Sequence, residues 1–328
     1  MGSRNGKILA AIVVLCVLGA GAYIAYAALG PSETTTDTRP EAKAVLADSD
    51  VMVRAVDPDN PQLNGRVFEV DDGKVHHDGD LACERVYYAA GHGICMAIAP
   101  SGVDYEAKIF GPKMETEHTI RLTGLPSRAR VSEDGRYGAM TVFVSGDSYL
   151  ESSTAFSTRT YIVEMTSGRA IAQLEQFGVE KDGKPFDAVD FNFWGVTFDP
   201  KDSDRFFATL GSGDQHYLVE GSIKDREVKV LRDGIECPSL SPDGKWIAYK
   251  SRIGQSNRWH LRVLDVATLE DHAVAEERSI DDQAEWLDNE TLAYSDGHNV
   301  YTVPADGSGE PELLVRDAAS PVRLSDAS

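Results

Sequence analysis

The strongest constraint on this chain is a recurrence. LSPDGKWIAY at 240–249 ends one strand, turns through Pro242, Asp243 and Gly244, and opens another with the β-favouring Trp246, Ile247 and Tyr249. Related strand-turn-strand stretches place Ala89, Val131, Phe198, Leu240, Trp286 and Leu324 at equivalent positions, at intervals of 42, 67, 42, 46 and 38 residues. The unit containing Leu240 holds four apolar-alternating segments, CPSL, KWIAYKS, WHLRVLDV and DHAVAEE, separated by polar turns. Four antiparallel strands every ~40–45 residues is the pattern of a propeller blade. The predicted fold class is all-β, a six-bladed β-propeller.

The long interval exceeds its neighbours by 67 − 42 = 25 residues. That insertion is expected in the polar stretches 146–158 and 179–187, read here as loop material. Five complete units run from about 81 to 317, and a sixth begins with ASPVRLS close to the C-terminus. Its missing strands are available in DVMVRAV and GRVFEV, between Asp50 and Val70. A last blade built from both termini removes the open edge that a ring of separate blades would leave.

The first thirty residues differ in kind. Arg4 and Lys7 precede an uncharged run of 22 residues, Ile8 to Leu29, about 33 Å as a helix and enough to span a bilayer core. Residues 1–30 are therefore predicted as a transmembrane anchor, residues 31–47 as a polar linker and residues 48–328 as the propeller. The alternative is a cleaved secretory signal, for which Ala25-Tyr26-Ala27 is an acceptable site. Under either reading the positive charges remain inside and the rest of the chain is exported. The predicted location is the cell membrane, single-pass, with the C-terminal domain extracytoplasmic.

Charge excludes one class of partner. The chain has 32 basic and 53 acidic residues, and residues 1–30 hold two of the basic ones and no acid, leaving 30 − 53 = −23 for the remainder. Such a surface repels nucleic acid. In the oxidising compartment, Cys83 and Cys95 flank a turn at 90–93 and could staple two adjacent strands; two buried free thiols are the alternative. Cys237 is expected as a buried free thiol.

The series CERVYYAAGHGIC, FWGVTFDP, ECPSLSPDGKWIAYKS, DDQAEWLDNETLAY and VYTVPADGSGEPELLV resembles the propeller repeat of the TolB-like translocation proteins over roughly residues 50–326. The resemblance implies the six-bladed fold and an envelope setting. Those proteins carry an α/β domain ahead of the propeller, where this chain has the anchor and linker.

Catalytic and metal motifs are weak. Gly146-Asp147-Ser148-Tyr149-Leu150 imitates a lipase block, but its serine needs a strand-to-helix turn, and no G-x-S-x-G is present. His76, His77, Asp78 and Asp80 sit on one turn where side chains diverge rather than converge on a metal. Asp57-Pro58-Asp59-Asn60 and Asp199-Pro200-Lys201-Asp202 read as turn formers without a calcium-loop pattern. No cofactor and no metal site is expected.

A propeller binds at its axis, where the innermost strand of each blade begins. Four residues before each reference position stand Arg85, Ser127, Trp194, Glu236, Asp282 and Ser320, with Glu84, Arg128, Asp190, Asn192 and Asp281 beside them. Buried charges must pair or bind something. Either Arg85 or Arg128 pairs with Glu236 or Asp282, or the group holds a small ligand or cation at the axis. Trp246, Trp259 and Trp286 are expected to pack between blades. Trp194 is expected exposed at the mouth, suited to a sugar or peptide. The sequence thus points to a non-enzymatic, membrane-tethered scaffold for an envelope protein or peptide, with Arg85, Arg128, Asp190, Asn192, Trp194, Glu236, Asp281 and Asp282 at its binding mouth. The alternative is an exported hydrolase or lyase acting on a carbohydrate or lactone, with Glu236, Asp282 and Arg85 as acid-base groups.

Overall fold

The computed structural model describes residues 50–71, 74–76, 80–144, 157–254 and 256–324. Six sheets account for the strands among the described residues. The first blade is β4 (Arg85–Ala89), β5 (His92–Ile98), β6 (Tyr105–Phe110) and β7 (Thr116–Leu122). The second is β8 (Leu125–Val131), β9 (Tyr137–Val144), β10 (Ser157–Glu164) and β11 (Arg169–Gln173). The third holds β14 (Asn192–Phe198), β15 (Arg205–Ser212), β16 (Gln215–Ser222) and β17 (Glu227–Asp233), extended outward by β12 (Gly178–Lys181) and β13 (Lys184–Pro185). The fourth is β18 (Glu236–Leu240), β19 (Trp246–Arg252), β20 (Trp259–Asp265) and β21 (Asp271–Ala273). The fifth is β22 (Glu285–Trp286), β23 (Thr291–Ser295), β24 (Val300–Pro304) and β25 (Glu312–Val315).

The sixth blade closes the ring as expected. The C-terminal β26 (Ala318–Arg323) lies innermost and pairs antiparallel with β1 (Val51–Ala55), which pairs with β2 (Val67–Asp71), followed by β3 (Lys74–His76). Met52 faces Val322 in this register, and the Leu324 N–H donates to the Asp50 carbonyl at 2.9 Å. Each innermost strand touches the next around the circle, including β26 against β4.

The core lies between the sheets. Ile94, Met140 and Met165 pack the first blade on the second, and Phe193, Phe206 and Ile162 pack the second on the third. Ile247, Phe207 and Leu264 join the third and fourth, Tyr294 and Val263 the fourth and fifth, and Val53 and Leu314 the fifth and sixth. Propeller stability is therefore shared among interfaces, and removing one blade edge opens two of them.

The segment at 179–187 corrects the loop reading. Gly178–Lys181 pairs parallel with β17, and Val179 is buried with Phe177 and Val228. One apolar residue per turn of the pleat sufficed, because β17 presented an open edge. Residues 145–156, with the lipase-like block, lie outside the described residues, as do His77, Asp78, the predicted anchor and the predicted linker. Among the described residues no helix is long and apolar enough to cross a membrane.

Cys83 and Cys95 form a disulfide with Cα atoms 5.3 Å apart. It ties the lead-in of β4 to β5 around a two-residue turn in which Ala90 and Gly91 both have positive φ, 47° and 81°, the backbone shape that matches strand twist. Cys237 is a buried free thiol. A Cys83→Ser/Cys95→Ser variant is expected to lose about 3 kcal/mol by loop entropy. Urea unfolding under non-reducing conditions measures this, and an unchanged midpoint would contradict it. Asp57 and Asp199 act as turn formers, accepting from the Asn60 N–H at 3.1 Å and the Lys201 N–H at 2.8 Å.

Candidate functional site

The innermost strands all begin at one end of the ring, the mouth. Four of them carry bulges there: β8 at Pro126/Arg128, β14 at Trp194/Thr197, β18 at Glu236/Ser239, and β26 where it pairs with β1. A bulge re-aims the side chains beside it. Gly195 has φ +63°, and a Cβ there would come within 2.7 Å of the Cys237 Cα, so only glycine allows the third and fourth blades this approach.

Glu236 sits in a basic setting. Its Oε1 lies 2.8 Å from His216 Nδ1 and accepts from Trp259 Nε1 at 3.2 Å, with Arg252 at 3.7 Å. Its Oε2 is 3.7 Å from Lys250 Nζ, which also contacts Asp281. Burial pushes the Glu236 carboxyl up, but the His216 hydrogen bond and the Lys250 charge outweigh it and bring it down to about 2. Asp281 stands 3.8 Å from Arg128 Nη2 as well. Asp282 accepts from the Ser295 N–H at 3.0 Å. Of the expected pairings of Arg85 or Arg128 with Glu236 or Asp282, Glu236 instead pairs with His216, Lys250 and Arg252 from other strands, while the charge of Asp282 acts on both arginines.

Arg85 and Arg128 converge on one atom. Arg85 Nε donates to the Ser127 carbonyl at 2.7 Å and Arg128 Nη1 donates to the same oxygen at 2.9 Å. Burial, and next the charge of Arg128, pull Arg85 down to about 10 against the opposing charge of Asp282. Arg54, from the second strand of the sixth blade, feels both Glu84 and Asp282, and burial lowers it too.

The remaining expected mouth residues are tied up locally. Asp190 accepts from Ser212 Oγ at 2.9 Å and the Gly213 N–H at 2.6 Å, and Asn192 accepts from the Thr158 N–H at 2.6 Å. Trp194 is not an exposed platform: it is 7% exposed, with its ring edge-on to His216 at 5.1 Å and laid over Gly211. The missing side chain of Gly211 opens the slot that swallows the indole. Trp286 bridges blades as expected, donating to the Ser239 carbonyl at 2.8 Å. Trp259 instead belongs to the mouth, with Lys250 Nζ 4.5 Å from its ring centroid. Lys250, His216 and Arg54 were missed because the repeat was read along innermost strands alone. Register would have found one of them, since Lys250 lies opposite Glu236 in the β18–β19 ladder.

The axis is filled at the far end. Arg130 pairs with Glu285 and donates to Ser239 Oγ at 3.1 Å; Tyr87 Oη donates to Glu285 at 3.1 Å beneath the Arg130 guanidinium. The Arg323 backbone N–H reaches Glu285 at 3.4 Å. Five innermost strands meet in this plug, which leaves a cavity of about 20 Å³, room for one water. A ligand therefore approaches the axis from the mouth. A second hollow, of about 660 Å³, lies at the far end of the third blade. Two of its acids are already engaged, Glu220 with Arg205 and Asp204 with Ser222 and the Lys224 N–H.

No family model matches the chain, and no curated protein matches it in sequence. Solved structures do match in shape. TolB from Acinetobacter baumannii superposes with a TM-score of 0.61 at 15% identity over 84% of this chain and 66% of that one. A chain from Agrobacterium tumefaciens provisionally named TolB gives 0.51 at 11% identity, over 82% of this chain and 91% of that one. A chain of the nidogen/laminin complex gives 0.57 at 10% identity, covering 85% of this chain and all of its own length. The chain is a TolB-like six-bladed propeller in fold.

Proposed function

We propose that the protein is a non-enzymatic docking module, anchored to the cell membrane by its apolar N-terminal run, whose mouth face binds a protein partner outside the cytoplasm. One observation carries this reading. Among the described residues the exposed large hydrophobics are Ile98, Val103, Leu125, Phe143 and Val189, and all of them lie at the mouth. Ile98 ends β5 two residues beyond the Arg85–Met96 level, and Val103 is in the turn that follows. Leu125 faces Phe143 at the mouth end of the β8–β9 ladder, and Val189 adjoins Asp190, which binds the mouth-side turn after β15. Three consecutive blades share them. In a surface this acidic, apolar side chains gathered on one face mark a contact surface, and Val103 and Val189 are 81% and 92% exposed. Propellers of this shape occur in protein complexes, as the nidogen/laminin structure illustrates.

The acid-base alternative is less well supported. A carboxyl held at about 2, as Glu236 is, neither gives nor takes a proton efficiently near neutral pH.

A photo-crosslinking residue at Leu125 or Val189 is expected to trap a defined partner in native envelopes, whereas one at Lys113, in the far-end turn between β6 and β7, is not. Equal capture from both ends would overturn the docking face. Recovery of the chain from the soluble fraction at reduced mass would overturn the tether.

A further inference from the structure

We propose that the axial mouth holds a multivalent oxyanion, a small polycarboxylate or a phosphate, gripped by Arg54, Arg85 and Arg128. The location coincides with the docking face, but the proposal does not depend on that reading, since it concerns a small solute at the axis rather than the apolar rim.

Charge sign is the first reason. A chain with net charge −21 gathers three guanidinium groups at one point, two of them on a single carbonyl oxygen. Like charges held together in a half-buried site raise the energy of the empty state, and Arg85, lowered first by burial, is lowered further by the charges of Arg128 and Arg54. The second reason is unused hydrogen-bonding capacity. Arg54 Nε and Arg128 Nε are buried without a hydrogen-bond partner. The Arg54 side chain makes no hydrogen bond or ion pair among the described residues, and reaches its place from the second strand, opposite Ala319 on β26. The innermost strand there offers the small Ala318, Ala319 and Ser320 where the first two blades offer Arg85 and Arg128.

The neighbouring groups do not compensate the cluster evenly: against burial, Cys237, Asp282 and Asp281 raise Arg128, whereas Arg54 and Arg85 both stay lowered. Asp281 is taken by Lys250, with Arg128 more distant at 3.8 Å, and Glu236 is taken by His216, Lys250 and Arg252. Asp282 and Glu84 act on the arginines through space, and one Asp282 oxygen is already committed to the Ser295 N–H. Guanidinium forks match carboxylate and phosphate oxygens two at a time, so an oxyanion lodged there would satisfy the idle nitrogens and relieve the repulsion together. The plug below closes the far side, so the anion would enter and leave through the mouth.

Calorimetric titration of the full chain with citrate, succinate or inorganic phosphate, against chloride at matched ionic strength, is expected to give saturable binding and a raised melting temperature. Citrate outranking phosphate would assign the carboxylate source, and the reverse order the phosphate source. Arg54→Met is expected to weaken binding about tenfold or more at unchanged fold, read from its melting temperature without ligand. Asp282→Asn is expected to tighten binding, because it removes a competing carboxylate. A cation site would behave oppositely: Asp282→Asn would weaken it, and calcium rather than citrate would stabilise the chain. Stabilisation by calcium alone, absence of saturable heat with all the anions, or undiminished binding in a folded Arg54→Met chain would each overturn the proposal.

Discussion

A chain stopped after Asp317 is expected not to fold. The truncation removes β26, the innermost strand of the sixth blade, which contacts β4 and β22 and pairs with β1. Ala318, Ala319 and Val322 are buried there, and β1 carries the fully buried Val51, Met52 and Val53, which would face water along an unpaired edge. Two blade interfaces open at once, and an exposed apolar edge is an aggregation template. The measurement is soluble yield together with the cooperative melt followed by circular dichroism. A monomer melting within a few degrees of the full chain would contradict closure by the two termini. The complementary experiment preserves the strand and moves the break. Because Arg323 lies opposite Val51 and the Leu324 N–H meets the Asp50 carbonyl, a short turn can join 324 to 50. A permutant so joined, opened at the exposed Lys113 turn, is expected to fold.

Glu285→Ala is expected to destabilise the domain by about 3–5 kcal/mol, the range for uncovering one partner of a buried ion pair. The loss is large because Glu285 is the common acceptor of the plug: Arg130, Tyr87 and the Arg323 backbone all converge on it. Without it the Arg130 guanidinium remains buried at the axis, where burial opposes its charge and Glu285 was one of the groups offsetting that. Arg130→Met combined with Glu285→Leu is expected to recover most of the loss, since apolar side chains of similar volume avoid desolvating either charge. Urea titration of the single and double variants checks this. Equal instability of the two would mean the plug works by shape rather than charge.

Much of this architecture was legible from residues alone. Asp243-Gly244 and its counterparts mark tight turns, and a tight turn between β-favouring runs is a local event that needs no tertiary partner. Cys83 and Cys95 straddle such a turn, so a bridge was one of two readings open to a single hairpin, and the structure forms it. Val179 was misread because its strand depends on β17, almost fifty positions later, offering an edge. Trp194 was misread for a similar reason: its slot is the absent side chain of Gly211, on another strand.

The sequence by itself therefore determined the number of blades and their closure by the first and last described strands, because periodic alternation and turn chemistry are properties of neighbouring residues. Tertiary structure alone decided what that mouth is chemically. Lys250, His216 and Arg54 arrive there from second and third strands, so which acid meets which base, and which guanidinium nitrogen is left without a hydrogen bond, depends on register and bulges between segments far apart in the chain.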